Sequence, residues 1–326
     1  MEPAAVADGR KLRSAPLCDH SVILADHPAG VKLTEKRVTN IIMILTKKTI
    51  YWILPTLLLM FPTLLLASTL LYDDFIGNIV SSNNWHIPTW VSPNDGTFIG
   101  RTQFRCTQNS SLPSAKNSNA IITVETYNPT GFSFYGTDLI SNQAVSLTTG
   151  IHITIRAKMD TSTRGIVGGI FLYALKPGSS TLHDEIDFEL ITNLPNGVQT
   201  NIYNNEQLGV GHPEFVTYSS GTIIDYHTYE IKWLPNKVSW FVDGNLVRTD
   251  ISNVPTGPMH FHFNLWVPGK EWSEAYSASL QPTASESSNQ IFSMYVDYIR
   301  IQSFIPTHQE NNIVPILPLL IIDDSP

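Results

Sequence analysis

The chain predicts an all-β fold, an antiparallel sandwich, on three observations. Short apolar or alternating runs recur through its central part, Gly, Pro, Asn and Ser clusters separate them, and no stretch between them holds a helical period. In order, the runs are Ala120 to Glu125, Ile151 to Met159, Gly169 to Ala174, Glu185 to Ile191, Val198 to Tyr203, Tyr229 to Trp233, Val238 to Val242, Met259 to Trp266 and Phe292 to Ile301.

The run around Glu185 is the most informative. In His183-Asp184-Glu185-Ile186-Asp187-Phe188-Glu189-Leu190 the alternation puts Glu185, Asp187 and Glu189 on one strand face and Ile186, Phe188 and Leu190 on the other. The apolar face belongs in a core, which turns three like charges toward solvent. We read His183 as lying off that acidic face. In Val198 to Tyr203, period two gathers Gln199, Asn201 and Tyr203 on one face. Tyr229 to Trp233 and Val238 to Val242 precede Asp243-Gly244-Asn245, a turn signal; Tyr229, Trp233 and Trp240 are assigned to the core. In Met259 to Trp266, Met259, Phe261, Phe263 and Leu265 point inward, leaving His260, His262, Asn264 and Trp266 on the opposite face.

Nothing structural calls for three adjacent carboxylates, but glycosidic bond hydrolysis with retention does. It needs a carboxylate nucleophile and a carboxylic acid about 5 to 5.5 Å apart. Residues four apart on a flat strand are about 13 Å apart at Cα, so the pair requires a sheet curved with its acidic side concave. Crowding of the three acids should keep one protonated near neutrality, separating acid from nucleophile.

The run His183 to Glu189 resembles the catalytic signature E-x-D-x-E of glycoside hydrolase family sixteen, in the branch of the lichenases and xyloglucan endotransglucosylase/hydrolases. Val198 to Tyr203, the Tyr229 to Gly244 hairpin and the Leu265-Trp266 strand end are similar to the family's following elements, in the same order. The resemblance covers Tyr72 to about Phe304. It implies a jelly-roll sandwich of two curved antiparallel sheets with a concave substrate cleft, Glu185 as nucleophile, Asp187 as its assistant and Glu189 as general acid/base. No cofactor is implied for catalysis. Asp297, in Tyr295-Val296-Asp297-Tyr298, matches a position that contributes to a structural calcium site in lichenase-like relatives, on the side away from the cleft. Many such relatives carry Glu-x-Arg on the strand before the catalytic one; Thr154-Ile155-Arg156 keeps the Arg, a substrate-binding candidate, without the acid.

Substrate-binding candidates are thus Arg156, Gln199, Asn201, Tyr203, His260, His262, Asn264 and Trp266. An aromatic face such as Trp266 can stack on a sugar. His260 and His262 are two apart and would need a third converging ligand to hold zinc; hydrogen bonds to sugar hydroxyls or to the acids are the preferred reading. No cysteine follows Cys106, whereas the xyloglucan enzymes usually continue into a cysteine-bearing extension. An endo-β-glucanase acting on mixed-linkage or related β-1,4-containing glucans is therefore favoured over a xyloglucan transglycosylase, and a lectin-like module would not need all three acids.

Composition agrees. Charged residues are 15% and aromatics 10% of 326, and the net charge of -8 argues against nucleic acid as a partner. A polysaccharide, β-glucan or xyloglucan, is the expected partner. From Ile50 to Leu71, 22 residues pass without a charge, after Lys47 and Lys48 and before Asp73 and Asp74. We divide the chain into an extension or cytosolic tail (1–42), a signal peptide or signal anchor starting at Met43 (43–71), the catalytic domain (72–304) and a tail (305–326). The domain is then expected outside the cytosol, secreted or in a cell wall, with membrane contact only through the apolar segment. Asn109-Ser110-Ser111 is a glycosylation sequon, and Cys18 and Cys106 flank the apolar segment and should not pair.

Overall fold

A computed structural model of the protein describes residues 67–89, 98–106, 112–131 and 133–307. The Asn109 sequon, Cys18 and most of the apolar N-terminal segment lie outside these residues. Among the described residues no helix is long and apolar enough to cross a membrane.

Sixteen strands follow in chain order: β1 (Thr69–Asp73), β2 (Trp85–His86), β3 (Phe98–Ile99), β4 (Thr102–Phe104), β5 (Ala120–Glu125), β6 (Phe134–Ser141), β7 (Gly150–Met159) and β8 (Val167–Leu175). Then come β9 (His183–Ile191), β10 (Gly197–Glu206), β11 (Glu214–Thr217), β12 (His227–Leu234), β13 (Lys237–Val242), β14 (Asn245–Asp250), β15 (His260–Trp266) and β16 (Ile291–Phe304). One short 3-10 turn at Glu286–Ser288 is the only helical element among the described residues. All nine runs expected from the sequence are strands. The expected turn joins β13 to β14 with Asp243 at φ 49° and Gly244 at φ 77°, two positive values in succession as a type I′ hairpin requires.

The inner sheet runs β11-β10-β9-β8-β15-β6 and the outer sheet β5-β16-β7-β12-β13-β14, with β1 on β16. Strand β6 belongs to both. Its first residues pair with β4 and β5, while Thr137 to Ile140 pair with β15 and Ser141 with Trp85 of β2. The fold is the expected all-β sandwich of curved, antiparallel sheets.

Ile186, Phe188 and Leu190 of β9 are fully buried in one core cluster with Tyr229, Ile231 and Trp240 of the outer sheet; the Phe188 and Tyr229 rings lie 5.2 Å apart. Met259, Phe261, Phe263, Leu265 and Trp233 are also fully buried, as expected. This two-sided core fixes the register of β9, and hence the side on which its acids emerge.

One boundary differs from expectation. Thr69 to Asp73 pair with Gln302 to Ile299 of β16, so the sheet begins inside the stretch assigned to the apolar segment rather than at Tyr72. Leu71 packs against the core, which explains why this strand reads as a continuation of the apolar run.

Candidate active site

The register of the inner sheet turns the sequence candidates into a grid. One row across four strands is Tyr203, Glu185, Tyr173, His260; the next is Asn201, Asp187, Phe171, His262; a third is Gln199, Glu189, Gly169, Asn264 and Asp138. Seven of the eight substrate-binding candidates thus share one surface with the acids, or its edge. Trp266 begins the fourth row, opposite Val167 and Ile191.

Polar partners fix each position. Gln199 Nε2 donates to Glu189 Oε2 at 2.8 Å. His262 Nδ1 lies 3.1 Å from Asp138 Oδ1 and its ring stacks on Phe171 with centroids 4.8 Å apart. His260 Nδ1 meets the Ser141 carbonyl at 2.8 Å, so both histidines are engaged as hydrogen-bonding groups. Asn264 Oδ1 accepts from the Gly169 main-chain N–H at 3.1 Å. A Cβ at Gly169 would strike that oxygen; the glycine makes room for the Asn264 carboxamide.

Trp266 is half-buried. Its ring lies 5.7 Å from that of Trp272, and both pack on buried Val167, Ile191 and Ala275, a small cluster that walls the grid beyond Glu189. Residues 268–280 form this wall, held by Arg101, whose guanidinium donates to the carbonyls of Pro268, Ser277 and Leu280 at 2.9 to 3.2 Å.

The three acids do not ionise together. Burial pushes Asp187 well above the usual carboxylate range, and the charges of Glu189 and Glu185 add to it; the Arg248 charge and the Asn201 main-chain N–H only partly oppose this. Burial and then Glu185 raise Glu189 to about 8, against the Gln199 hydrogen bond. At neutral pH Glu189 therefore carries a proton.

Two sequence assignments need correction. Residues 183 and 185 share parity, so His183 stands on the acidic face, not off it: its Nε2 lies 3.2 Å from Glu185 Oε2. Arg156 is on β7 of the outer sheet, away from the acids. Ile155 and Ala157 turn inward there, and Arg156 faces out, with Nη1 2.6 Å from Asp297 Oδ2 and its guanidinium over Tyr226. β7 precedes the catalytic strand by two strands, since β8 lies between them in sequence and in the inner sheet. The same contact bears on Asp297: its carboxylate faces the Arg156 guanidinium, and among the described residues it belongs to no group of three or more metal-ligating side chains.

Sequence reasoning missed Tyr173, Phe171, Gly169 and Arg248. The first three alternate on β8, a signal present in the sequence, though not its register against β9. Arg248 lies on β14 yet reaches under β10, donating to the Thr200 carbonyl and hydroxyl oxygens at 3.0 Å and lying over the Trp240 ring.

The chain is similar to the beta-glucanase of Bacillus licheniformis, 37% identical over 116 residues, which are 35% of this chain and 46% of that protein. It is also similar to a xylanase/beta-glucanase of Ruminococcus flavefaciens, 32% identical over 37% of this chain and 15% of that one. The matched stretch thus spans less than half the length of these relatives. The fold matches the solved structure of Bacillus licheniformis beta-glucanase with a TM-score of 0.57 at 24% identity, over 73% of this chain and 99% of that one. The endo-beta-1,3-glucanase from Pyrococcus furiosus gives 0.58 at 17% identity, over 74% and 96%. The family model of glycosyl hydrolases family 16 matches residues 100–287, more than half of the sequence and the whole acidic grid, and the chain belongs to that family.

Proposed function

We propose that the protein is a retaining endo-β-glucanase that cleaves β-1,4-containing glucans, mixed-linkage β-1,3-1,4-glucan among them. The observation that carries this reading is the placement of Glu185, Asp187 and Glu189 on one face of β9, with burial and Glu185 raising the Glu189 pKa. A general acid must hold its proton at working pH, and Glu189 at about 8 does so. Glu185 attacks the anomeric carbon as Glu189 protonates the departing glycosidic oxygen, leaving a glycosyl ester on Glu185. Glu189, now a carboxylate, takes a proton from water, whose oxygen attacks the same carbon and frees Glu185. Asp187, nearly sealed from solvent and with its pKa pushed well above the usual carboxylate range by burial, lies between the two acids. Half-buried Tyr173 and His260 offer ring surfaces for sugars, and the polar row of Gln199 and Asn264 offers partners for hydroxyls.

Glu185→Ala tests the assignment. Turnover should vanish and return on addition of azide, because only the covalent step has lost its reagent, and the rescued product should have inverted anomeric configuration. Retention of most activity by Glu185→Ala would overturn it.

Transfer of the glycosyl group to a sugar acceptor uses the same acids, and His183 to Glu189 is shared with the xyloglucan enzymes. Product analysis with and without an added oligosaccharide separates transfer from hydrolysis. The uncharged segment from Ile50 to Leu71, with lysines before it and aspartates after it, supports placement of the domain outside the cytosol.

A further inference from the structure

We propose that His183 is a positioning residue for Glu185, held as an imidazolium that pairs with the nucleophile's carboxylate and fixes its orientation. This rests on the assignment of Glu185 as nucleophile. His183 is 3% exposed, and both of its ring nitrogens face acceptors. Nδ1 lies 3.2 Å from the Thr181 carbonyl oxygen and Nε2 lies 3.2 Å from Glu185 Oε2. A neutral imidazole has one N–H and would set a lone pair against one of these oxygens; only the doubly protonated ring satisfies both. Buried Nε2 makes no aligned hydrogen bond among the described residues, and its contact with the Glu185 carboxylate is an ion pair at 3.2 Å.

The ring cannot swing away. It stacks on Tyr173 with centroids 5.3 Å apart and lies 4.5 Å from the Tyr203 ring on the other side. These tyrosines flank Glu185 in the same row, so one aromatic slot orients both partners. The charged groups around it are acidic on balance: Glu185, buried Asp184 on its own strand and Glu206 opposite it on β10. Lys176 is held by Asp184 at 2.5 Å, and His212 by Glu206 at 3.2 Å. Burial pulls the His183 pKa down, but the Glu185 hydrogen bond and charge, the Thr181 carbonyl and Asp184 together hold it above the ordinary histidine value.

The test is imidazole NMR on the full chain. In the wild type both His183 nitrogens should be protonated at pH 6.5 and give up a proton above the ordinary histidine pH. In Glu185→Gln this titration should drop by about 1 pH unit. Unchanged titration in Glu185→Gln, or a neutral ring in the wild type at pH 6, would overturn the pairing whether or not azide rescues Glu185→Ala. Kinetics supply the second arm. His183→Phe keeps a ring between the tyrosines but removes the donor, and kcat should fall about tenfold or more with little change in KM. His183→Gln, which retains a donor, should recover part of that loss. Equal activity of wild type and His183→Phe would show that the carboxylate needs no such partner.

Discussion

The indole Nε1 of Trp240 donates to the main-chain oxygen of Asp187 across 3.0 Å. A side chain rooted in the outer sheet thereby holds the backbone of the acidic strand from beneath, at its middle carboxylate. Its ring lies in turn under the Arg248 guanidinium, which reaches up to Thr200 of the neighbouring strand.

Trp240→Phe should preserve most of the buried ring area and lose the donor, at about 1 kcal/mol of stability. Trp240→Ala should cost roughly 3 to 5 kcal/mol through the cavity it leaves. Trp233 provides the control, since its Nε1 donates to the Pro255 carbonyl instead. Well below the melting temperature, Trp240→Phe should lose more kcat than Trp233→Phe; equal losses would show that the acidic strand does not depend on this tether.

Glu189 predicts the alkaline side of the pH profile. Its protonated form is the acid, so kcat/KM should decline as pH passes about 8. The stability effect has the same direction. The folded-state pKa is raised, so the favourable contribution is complete below the unfolded value near 4.5 and is lost as pH rises through about 8. Glu189→Gln should therefore be inactive yet gain melting temperature over the wild type at pH 9 more than at pH 5. A constant difference across that range would contradict the raised pKa.

Arg101 predicts a local rather than global effect. Its three carbonyl acceptors all lie in residues 268–280, and its guanidinium also covers the Tyr276 ring. Arg101→Met should speed amide exchange across that segment at least tenfold while β9 and β12 stay protected. Uniform deprotection of the whole domain would mean that the contact holds the fold and not the wall.

Trp266→Ala should weaken glucan binding by on the order of 1 kcal/mol. It should also cost about 2 kcal/mol of stability, less than a fully buried tryptophan, because its ring is half-buried against Trp272. Calorimetric binding and thermal melting on the same protein check both values. A stability loss alone would remove Trp266 from the substrate surface.

Much of this architecture was legible because the chain alternates cleanly where both sheet faces have defined surroundings. Strand β9 read correctly since Ile186, Phe188 and Leu190 enter the core and the acids do not. Strand β6 escaped notice because it changes sheets midway: Phe134 and Leu139 are buried on an irregular count, with Gly136 against Thr102 and Leu265 where a side chain would clash. Arg156 shows a different limit. Its outward direction follows from period two, but alternation is silent on which sheet a strand joins. His183 needed only a correct parity count, whereas the link from Trp240 to Asp187 spans 53 residues and two sheets and has no local signature.

Strand β6 carries a mechanical consequence. Because a single eight-residue strand is hydrogen-bonded into both layers, neither layer can peel away without breaking the backbone ladder of the other. The layers are stitched as well as pressed together. Under tension or denaturant the domain should yield in one step, the floor of the cleft and its backing giving way only as a unit.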